Sequence, residues 1–352
     1  MPRPFAIQGC PIGPGHPPYL IAELSGNHKG ELARALALID AAADAGADAV
    51  KLQTYTADTI TIDHDGPGFL LTGGLWAGRT LHDLYREAHT PWDWHPALFA
   101  RARERGIAIF SSPFDETAVE LLEGLDAPAF KIASFELNDL PLIRRAARSG
   151  RPLIVSTGLA TLGEIAEAVE AAGEAPLALL HCVSGYPTPP EDCNLRTIPH
   201  LAAAFGVPAG LSDHTHGIAV PVAATALGAA VIEKHITLSR AEGGVDAAFS
   251  LEPAEFKAMV GAVRAAHAAL GCVHYGVEPS EAGGRDYRRS LYVVADVAAG
   301  EALSAATVRS IRPGFGLAPK HLPAVLGRRA ARGLRRGEPL AWDMLLPEEP
   351  AR

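Results

Sequence analysis

Residues 19–46, YLIAELSGNHKGELARALALIDAAADAG, predict one strand followed by one helix, and this pair of elements recurs along the chain. The apolar run at its start is typical of a buried strand. Gly46 ends the helix as a C-cap glycine does. The helix itself is predicted from one stripe of apolar residues at spacings of three and four, namely Leu32, Leu36, Ile39 and Ala43.

Seven further strand and helix pairs follow, which makes eight in all. Strands that alternate with helices predict a parallel α/β fold, and eight pairs in about 250 residues predict a (β/α)8 TIM barrel. We therefore expect residues 18–268 to form this α/β barrel. The predicted strands are residues 19–24, 47–54, 107–112, 129–134, 153–157, 178–182, 209–212 and 230–235. The helix-compatible segment 80–88 follows the second strand, and the other predicted helices after the first are residues 115–122, 140–148, 162–172, 195–205, 218–227 and 253–270.

Two domains are expected from 352 residues. We assign residues 1–270 to the barrel domain and the polar, glycine-containing residues 271–287 to a linker. Residues 288–352 then form a small second domain, whose size suits binding or assembly better than chemistry.

The connection after the second strand, residues 58–94, is far longer than the usual 2 to 6 residues. It contains a helix-compatible segment at 80–88. A long loop at this face of a barrel favours a lid or a substrate-binding element.

Composition and charge exclude several classes of protein. The chain is 48% hydrophobic and 20% charged, as is usual for a globular protein, and it has no apolar run long enough to span a membrane. The N-terminus lacks the apolar core of a signal peptide, so we expect a cytoplasmic protein. The formal charge of -9 argues against a nucleic-acid partner. The four cysteines show no C-x-x-C spacing, which argues against a zinc knuckle or a redox motif.

Every predicted strand ends in polar or charged residues, and in a TIM barrel these ends meet at the catalytic face. The strand ends therefore predict an active site. These residues are Glu23, Lys51, Gln53, Ser111, Ser112, Lys131, Ser134, Ser156, Thr157, His181, Ser184, Ser212, Asp213, His214, Glu233, Lys234 and His235.

Lys51 and Lys131 each lie in an otherwise apolar strand, where an unpaired ammonium is costly. Each therefore needs an anion, either a bound phosphate or a protein carboxylate such as Glu23 or Glu233. A Schiff-base lysine is a third interpretation. The serines at the strand ends, with their neighbouring backbone amides, suit the oxygens of a phosphate.

His214 and His235 end neighbouring strands, within reach of one divalent ion, while His216 lies in the following turn and is less well aimed. Imidazole suits Mn, Fe, Co or Zn, and two protein ligands leave positions open for water and substrate. Hydrogen-bonded core histidines are the alternative. Tyr186 suits stacking under a sugar or packing within its loop, and Arg312 lies in a turn of the second domain.

Six motifs in this order resemble those of the nonulosonic acid synthases, the sialic acid synthase family. They are IAELSGNH (21–28), KLQTY (51–55), KIAS (131–134), STG (156–158), LSDH (211–214) and IEKH (232–235). The first of these, with GLWAGRT (74–80) and SFE (134–136), is more similar to pseudaminic acid synthases than to N-acetylneuraminate synthases. One loop departs from the family pattern, because HCVSG (181–185) replaces the more usual Lys-Cys-Thr-Ser-Thr.

The resemblance implies that phosphoenolpyruvate condenses with the aldehyde of 2,4-diacetamido-2,4,6-trideoxy-L-altrose and that phosphate is released. It also implies a divalent metal on His214 and His235, with Mn²⁺ preferred over Mg²⁺ or Co²⁺, that polarises the aldehyde. Glu23 would stabilise positive charge or handle the proton of water, with Glu233 as the alternative acid/base. The residues expected to hold phosphoenolpyruvate are Lys51, Lys131, Ser112, Ser134, Ser156 and Ser212.

For the sugar, the resemblance implies that Tyr186 and Asp246 position the substrate. Gln53, Tyr55 and Ser184 complete the expected substrate-binding residues. The second domain resembles the antifreeze-like (SAF) domain of the family. In the family this domain reaches the barrel of the other subunit in a domain-swapped homodimer, and Arg312 matches the arginine that contacts an N-acetyl group.

Three other functions stay open from the sequence alone. The chain is compatible with an N-acetylneuraminate or legionaminic acid synthase, which would differ only in the sugar. A Schiff-base aldolase that uses Lys51 or Lys131 would need no metal. A sugar-binding or ice-binding protein led by the second domain would bind without turnover, and the polar barrel mouth argues against it.

Overall fold

A computed structural model describes residues 2–347 of the chain. Eight parallel strands form a closed barrel in which each strand pairs with the next along the chain and the last pairs with the first. The barrel strands are β3 (Tyr19–Glu23), β4 (Ala49–Thr54), β5 (Ala108–Pro113), β6 (Phe130–Ile132), β7 (Leu153–Ser156), β8 (Leu177–Cys182), β9 (Ala209–Asp213) and β10 (Val231–His235). They are preceded by β1 (Phe5–Ile7) and β2 (Cys10–Ile12). The predicted (β/α)8 barrel is therefore confirmed.

Helices cover the outside of the barrel, and the main apolar core lies between them and the strands. The helices of the first unit are α1 (Leu32–Ala45), α2 (Ala57–Ile60), α3 (Leu81–Ala88), α4 (His95–Arg105), α5 (Glu116–Gly124), α6 (Leu140–Ala147), α7 (Leu162–Ala172), α8 (Thr197–Phe205), α9 (Ala219–Ala226) and α10 (Pro253–Leu270). Gly46 ends α1 with a φ of 87°, the left-handed conformation expected of a C-cap glycine. No helix among residues 2–347 is long and apolar enough to cross a membrane.

The strands β1 and β2 form a hairpin that the sequence did not predict. Both turn residues, Gln8 and Gly9, have positive φ, as a two-residue hairpin turn of the primed type requires. Ile7 and Ile12 are buried and pack with Tyr19 inside the barrel. Because Tyr19 begins its strand, the hairpin covers the N-terminal end of the barrel, opposite the catalytic face.

The chain divides into two compact units, and the second begins at Cys272. In this unit β11 (Ser290–Val293) pairs antiparallel with β12 (Val308–Ile311), and a short helix α11 (Leu322–Val325) follows. Residues expected to be linker are partly structured, because Pro279–Tyr287 forms a 3-10 helix. The unit has its own apolar core, which includes Leu291, Val308 and Leu340.

Candidate active site

The barrel interior changes from apolar to polar within two residues on each strand. Side chains two positions apart point to the same side of a strand. The apolar interior residues Ile21, Phe110 and Val231 each have a polar residue two positions further along the strand. The polar layer lies at the C-terminal ends of the strands, where TIM barrels carry their active sites. Its members, all buried, are Glu23, Lys51, Ser112, Lys131, Ser156, Cys182, Ser212 and Glu233.

Lys51 lies between the two carboxylates of this layer. Its Nζ atom is 2.6 Å from Glu23 Oε2 and 3.5 Å from Glu233 Oε1, and it donates a hydrogen bond to Ser112 Oγ at 3.3 Å. The strand register produces the closer pair, because Glu23 is paired with Lys51 across β3 and β4. The sequence allowed either a bound phosphate or a protein carboxylate as the partner of Lys51, and the structure shows two carboxylates beside it.

The positive charge of Lys131 is less well balanced by neighbouring carboxylates than that of Lys51. Its Nζ atom donates to Ser156 Oγ at 2.6 Å and to the carbonyl oxygen of Ile132 at 3.1 Å, while Glu233 Oε1 lies 3.9 Å away. Burial lowers the pKa of Lys131, although Glu233 opposes the shift. A buried ammonium with neutral neighbours favours the arrival of an additional anion.

The two carboxylates differ in their surroundings. Glu233 lies near both lysines, which hold its pKa below the ordinary value despite burial. Glu23 forms an ion pair with Lys51 and not with Lys131, and burial, together with the charge of Glu233, raises its pKa. Ser212 Oγ donates to Glu233 Oε1 at 3.3 Å, and Gln53 Nε2 donates to Glu23 Oε1 at 3.1 Å. Glu23 is therefore the carboxylate more ready to take up a proton.

Ser134 and Ser184 meet at Gly158. The Gly158 amide donates to Ser134 Oγ at 3.1 Å. A Cβ atom on Gly158 would lie 2.7 Å from that oxygen and closer still to Ser184 Oγ, so only glycine leaves room for both hydroxyl groups. This corner gathers hydroxyl and amide groups of the kind that bind phosphate oxygens.

His214 and His235 lie side by side at the ends of β9 and β10, with ring centroids 5.4 Å apart. His214 Nδ1 is 3.1 Å from the carbonyl oxygen of Val183, which leaves Nε2 of that ring available. His235 Nδ1 is buried without a hydrogen-bond partner among the described residues. Burial, with the charges of His214 and Lys51 nearby, holds the pKa of His235 well below its ordinary value, so the ring is neutral, as a metal ligand must be.

Within residues 2–347, no group of three or more His, Cys, Asp or Glu side chains is arranged to hold a metal ion. A divalent ion on His214 and His235 would therefore take its other ligands from water and substrate. The neutral His235 ring with its unpartnered buried Nδ1, beside the available Nε2 of His214, fits that arrangement.

Aromatic rings surround the histidines on the outer side. The Tyr186 ring is 4.5 Å from the His214 ring and 5.2 Å from the Phe249 ring. Trp76, from the long connection after β4, lies 5.8 Å from Tyr186. This wall is apolar, and it borders the histidines rather than the lysines.

Asp246 is linked to Glu23 through a chain of hydrogen bonds. Its carboxylate accepts a short hydrogen bond from Ser25 Oγ and a longer one from the Gly26 amide at 3.4 Å. Gln53 Nε2 donates to Ser25 Oγ at 3.1 Å as well as to Glu23. Burial raises the pKa of Asp246, and the bond from Ser25 opposes that shift.

Two further expected substrate-binding residues have different surroundings. The buried Tyr55 ring packs between Tyr85 and Phe114, with centroid distances of 5.6 Å and 5.0 Å. Arg312 belongs to the second unit, where its exposed side chain lies at the end of β12. The binding roles of both residues stay predictions.

Three polar strand-end residues have structural partners. Lys234 Nζ lies 2.5 Å from Asp213 Oδ2 and donates to the carbonyl oxygen of Thr215 at 2.6 Å. His181 Nε2 lies 2.5 Å from the carbonyl oxygen of Cys193. The first contacts join the ends of β9 and β10, and the second joins the end of β8 to the loop that follows it, so we count these residues as supports of the site.

The sequence did not single out Glu136 as a site residue, although it lies in the SFE motif directly after β6. Burial raises the pKa of Glu136 to about 7, while Lys131 opposes the shift. Its Oε2 atom is buried without a hydrogen-bond partner in the described part of the chain. Only its burial distinguishes Glu136 from other acidic loop residues, and the sequence does not report burial.

Comparisons with known proteins show which families this chain is similar to. Residues 38–275 match the NeuB family and residues 288–346 match the SAF domain. The chain is 46% identical over 325 residues to the pseudaminic acid synthase of Campylobacter jejuni, covering 92% of this chain and 95% of that protein. It is 43% identical over 331 residues to the pseudaminic acid synthase of Helicobacter pylori, covering 93% and 97%.

A solved structure is similar as well. The N-acetylneuraminic acid synthetase of Leptospira borgpetersenii, in complex with citrate, superposes with a TM-score of 0.72 at 33% identity, over 81% of this chain and 95% of that one. The resemblance seen in the six motifs is therefore confirmed. With a closed barrel, a SAF domain and these identities over nearly its whole length, the chain belongs to the NeuB family.

Proposed function

We propose that this chain is a pseudaminic acid synthase, which condenses phosphoenolpyruvate with 2,4-diacetamido-2,4,6-trideoxy-L-altrose to give pseudaminic acid and phosphate. The observation that carries the proposal is the layer of two lysines and two carboxylates beside two histidines. The layer lies in a chain 46% identical to an enzyme of that name. We place the reaction in the cytoplasm, the compartment of phosphoenolpyruvate.

The lysine side of the site suits phosphoenolpyruvate. Lys131 has the greater need of an anion, because its nearest carboxylate is 3.9 Å away. Ser156 Oγ lies 2.6 Å from its Nζ atom, and the hydroxyl groups of Ser156, Ser134 and Ser184 would donate to phosphate or carboxylate oxygens. On the other side Lys51, with Ser112 and Ser212 near it, would share its charge between Glu23 and the substrate.

The reaction forms a bond between C3 of phosphoenolpyruvate and the aldehyde carbon, adds water to C2 and breaks the C2–O bond to phosphate. Glu23 would accept the proton of the attacking water, because it is held by one lysine and by Gln53. Glu233 would remain ionised between the two lysines and stabilise positive charge at C2.

The histidine side suits the aldehyde of the sugar. We propose that His214 and His235 hold a divalent metal, with Mn²⁺ first and Mg²⁺ or Co²⁺ as alternatives. A bound divalent ion supplies Lewis acidity toward a carbonyl oxygen. The hydrogen bond between His214 Nδ1 and the Val183 carbonyl fixes the orientation of that ring. Tyr186 and Asp246 flank the histidines and would position the sugar chain.

We also propose that two copies form a domain-swapped homodimer in which Arg312 of one copy completes the site of the other. Residues 288–346 carry 10 Lys and Arg against 4 Asp and Glu, whereas residues 1–287 carry 20 against 34. Opposite charges favour contact between the basic domain of one copy and the acidic barrel of the other. The exposed Arg312 side chain makes no hydrogen bond or ion pair within residues 2–347, which leaves it available for a substrate.

Mixed dimers test this arrangement. Co-expressed Arg312→Ala and His235→Ala chains form heterodimers in which one site carries both changes and the other carries neither. The two parent chains, each inactive alone, should then give about a quarter of the wild-type activity after random mixing, because half of the dimers are heterodimers and each of these has one intact site. Activity no higher than that of the parents, in a mixture that light scattering shows to be dimeric, would refute the shared site.

A phosphate-release assay tests the function. The enzyme, supplied with Mn²⁺ and phosphoenolpyruvate, is given the trideoxy altrose, the legionaminic acid precursor and N-acetylmannosamine in turn. We expect turnover with the first sugar at a kcat/KM well above the others. Turnover with N-acetylmannosamine alone, or with the legionaminic precursor alone, would replace the proposed function by the corresponding synthase.

A Schiff-base aldolase is the second candidate, because burial lowers the pKa of Lys131, as a nucleophilic lysine requires. It predicts full activity in excess chelator and covalent trapping by borohydride in the presence of pyruvate. The proposed synthase predicts loss of activity in chelator and no trapped adduct.

A further inference from the structure

The long connection after β4 forms a hairpin that reaches across the barrel mouth. Backbone hydrogen bonds join Leu71 to Arg79 at 2.9 Å and Leu81 to Phe69 at 2.8 Å, and they define a hairpin over residues 69–81. Residues 72–75 at its tip are exposed, whereas Trp76 is half-buried. The tip is therefore attached to the rest of the unit through the indole side chain.

Trp76 contacts two loops that carry predicted sugar-binding residues. Its Nε1–H group donates to the carbonyl oxygen of Val245 at 3.0 Å, and Val245 directly precedes Asp246. Its ring lies 5.8 Å from the ring of Tyr186. One side chain of the hairpin thus joins the loop after β10 to the loop after β8.

The order of the rings gives this wall a direction. The Tyr186 ring lies 4.5 Å from the His214 ring, and the Trp76 ring lies 5.8 Å from the Tyr186 ring, so Tyr186 contacts both of its neighbours. An open-chain sugar whose aldehyde is at the histidines would run along Tyr186 and place its last carbon toward Trp76. Because the indole N–H is already bonded to Val245, the ring offers that carbon only apolar surface.

We propose that Trp76 is a specificity-determining residue that forms an apolar end wall for the sugar and favours a methyl group over a hydroxymethyl group at its last carbon. The inference rests on the proposed function and names the residue that selects a 6-deoxy substrate. A hydroxymethyl group at this wall would lose hydrogen bonds to water without replacement, whereas a methyl group would lose none. The bond to Val245 also makes Trp76 a positioning residue for the loop of Asp246.

The test compares Trp76→Ala, Trp76→Phe and wild type, each with Mn²⁺, phosphoenolpyruvate and two sugars. The sugars are the trideoxy altrose and its 6-hydroxy counterpart. We expect wild type to favour the 6-deoxy sugar by roughly 10- to 100-fold in kcat/KM and Trp76→Ala to reduce that ratio below about 5-fold. The KM for the sugar should rise about tenfold in Trp76→Ala, with the KM for phosphoenolpyruvate within about twofold of wild type. Trp76→Phe, which keeps an aromatic ring, should restore most of the preference.

Leu75→Ala is the matched control, because Leu75 is the exposed neighbour of Trp76 at the hairpin tip. This substitution should leave kcat and both KM values unchanged. Wild type should also show a change in tryptophan emission on binding the sugar, and Trp76→Phe should lose it. An unchanged sugar preference in Trp76→Ala, or an equal rise in both KM values, would overturn the proposal. Lack of wild-type turnover with either sugar would instead refute the proposed function.

Discussion

Replacement of Glu136 by glutamine should make the protein more stable at neutral pH than the wild type. Burial raises the pKa of this carboxyl group from 4.5 to about 7, and its Oε2 atom has no hydrogen-bond partner among the described residues. The folded state therefore binds the proton more tightly than the unfolded state does. Below pH 4.5 the group is protonated in both states, and its ionisation then weakens the fold as the pH rises toward 7.

The shift corresponds to about 3 kcal/mol at its full extent, because each pKa unit is worth about 1.4 kcal/mol. Glutamine has the same shape and no charge, so Glu136→Gln should escape this cost. Urea titrations of both proteins at several values between pH 4.5 and 8 give the free energy of unfolding. We expect the free energy of unfolding of the variant to increase relative to that of wild type as the pH rises, and the difference to level off above about pH 7.

Glu123 offers a control of opposite sign. Its side chain accepts hydrogen bonds from Arg145 at 3.0 Å and 2.8 Å, and these bonds hold its pKa below the ordinary value. Glu123→Gln should therefore lose stability relative to wild type at neutral pH, and that loss should disappear as the pH falls. A Glu136→Gln difference that is constant with pH, or that follows the direction of Glu123→Gln, would refute the reasoning about burial.

Three further changes probe the site and its supports. His235→Ala should abolish activity and Mn²⁺ binding by calorimetry while circular dichroism stays unchanged, and undiminished turnover would contradict the metal assignment. Gly158→Ala should raise the KM for phosphoenolpyruvate at least about tenfold, because its methyl group would displace Ser134 and Ser184, whose hydroxyls meet there; a normal KM would show that this corner does not bind the substrate. Lys234→Met should cost about 3 to 5 kcal/mol in urea unfolding, since it leaves Asp213 buried and unpaired; a loss below about 1 kcal/mol would mean that the pair contributes little.

The eight barrel strands were predictable because their apolar runs are bounded by polar residues and glycines. The polar mouth followed from the same pattern, since the C-terminal ends of parallel strands meet at one face. Helix α4 escaped prediction because its sequence, HPALFARARER, has only a narrow apolar stripe that includes Leu98 and Phe99. The hairpin of β1 and β2 escaped because strands of three residues carry too short a pattern to detect.

Contacts between distant residues could not be predicted in the same way. Trp76 and Val245 are 169 positions apart, and no local pattern connects them. Glu136 and Asp139 are both acidic residues in one loop, yet burial separates the first from the second. Pairing and burial depend on register and packing, which arise only when the whole barrel closes.

The lysines show why two interpretations of one sequence were compatible. An ammonium inside a barrel needs a counterion whether or not a substrate is bound, so Lys51 pairs with Glu23 at 2.6 Å. A site with no net charge in this layer, two lysines against two carboxylates, remains foldable without its anionic substrate. The uneven distances, 2.6 Å at Lys51 and 3.9 Å at Lys131, leave the second lysine as the point where an added anion gains most. The ion pair that stabilises the fold and the proposed anion site are therefore parts of one charge arrangement.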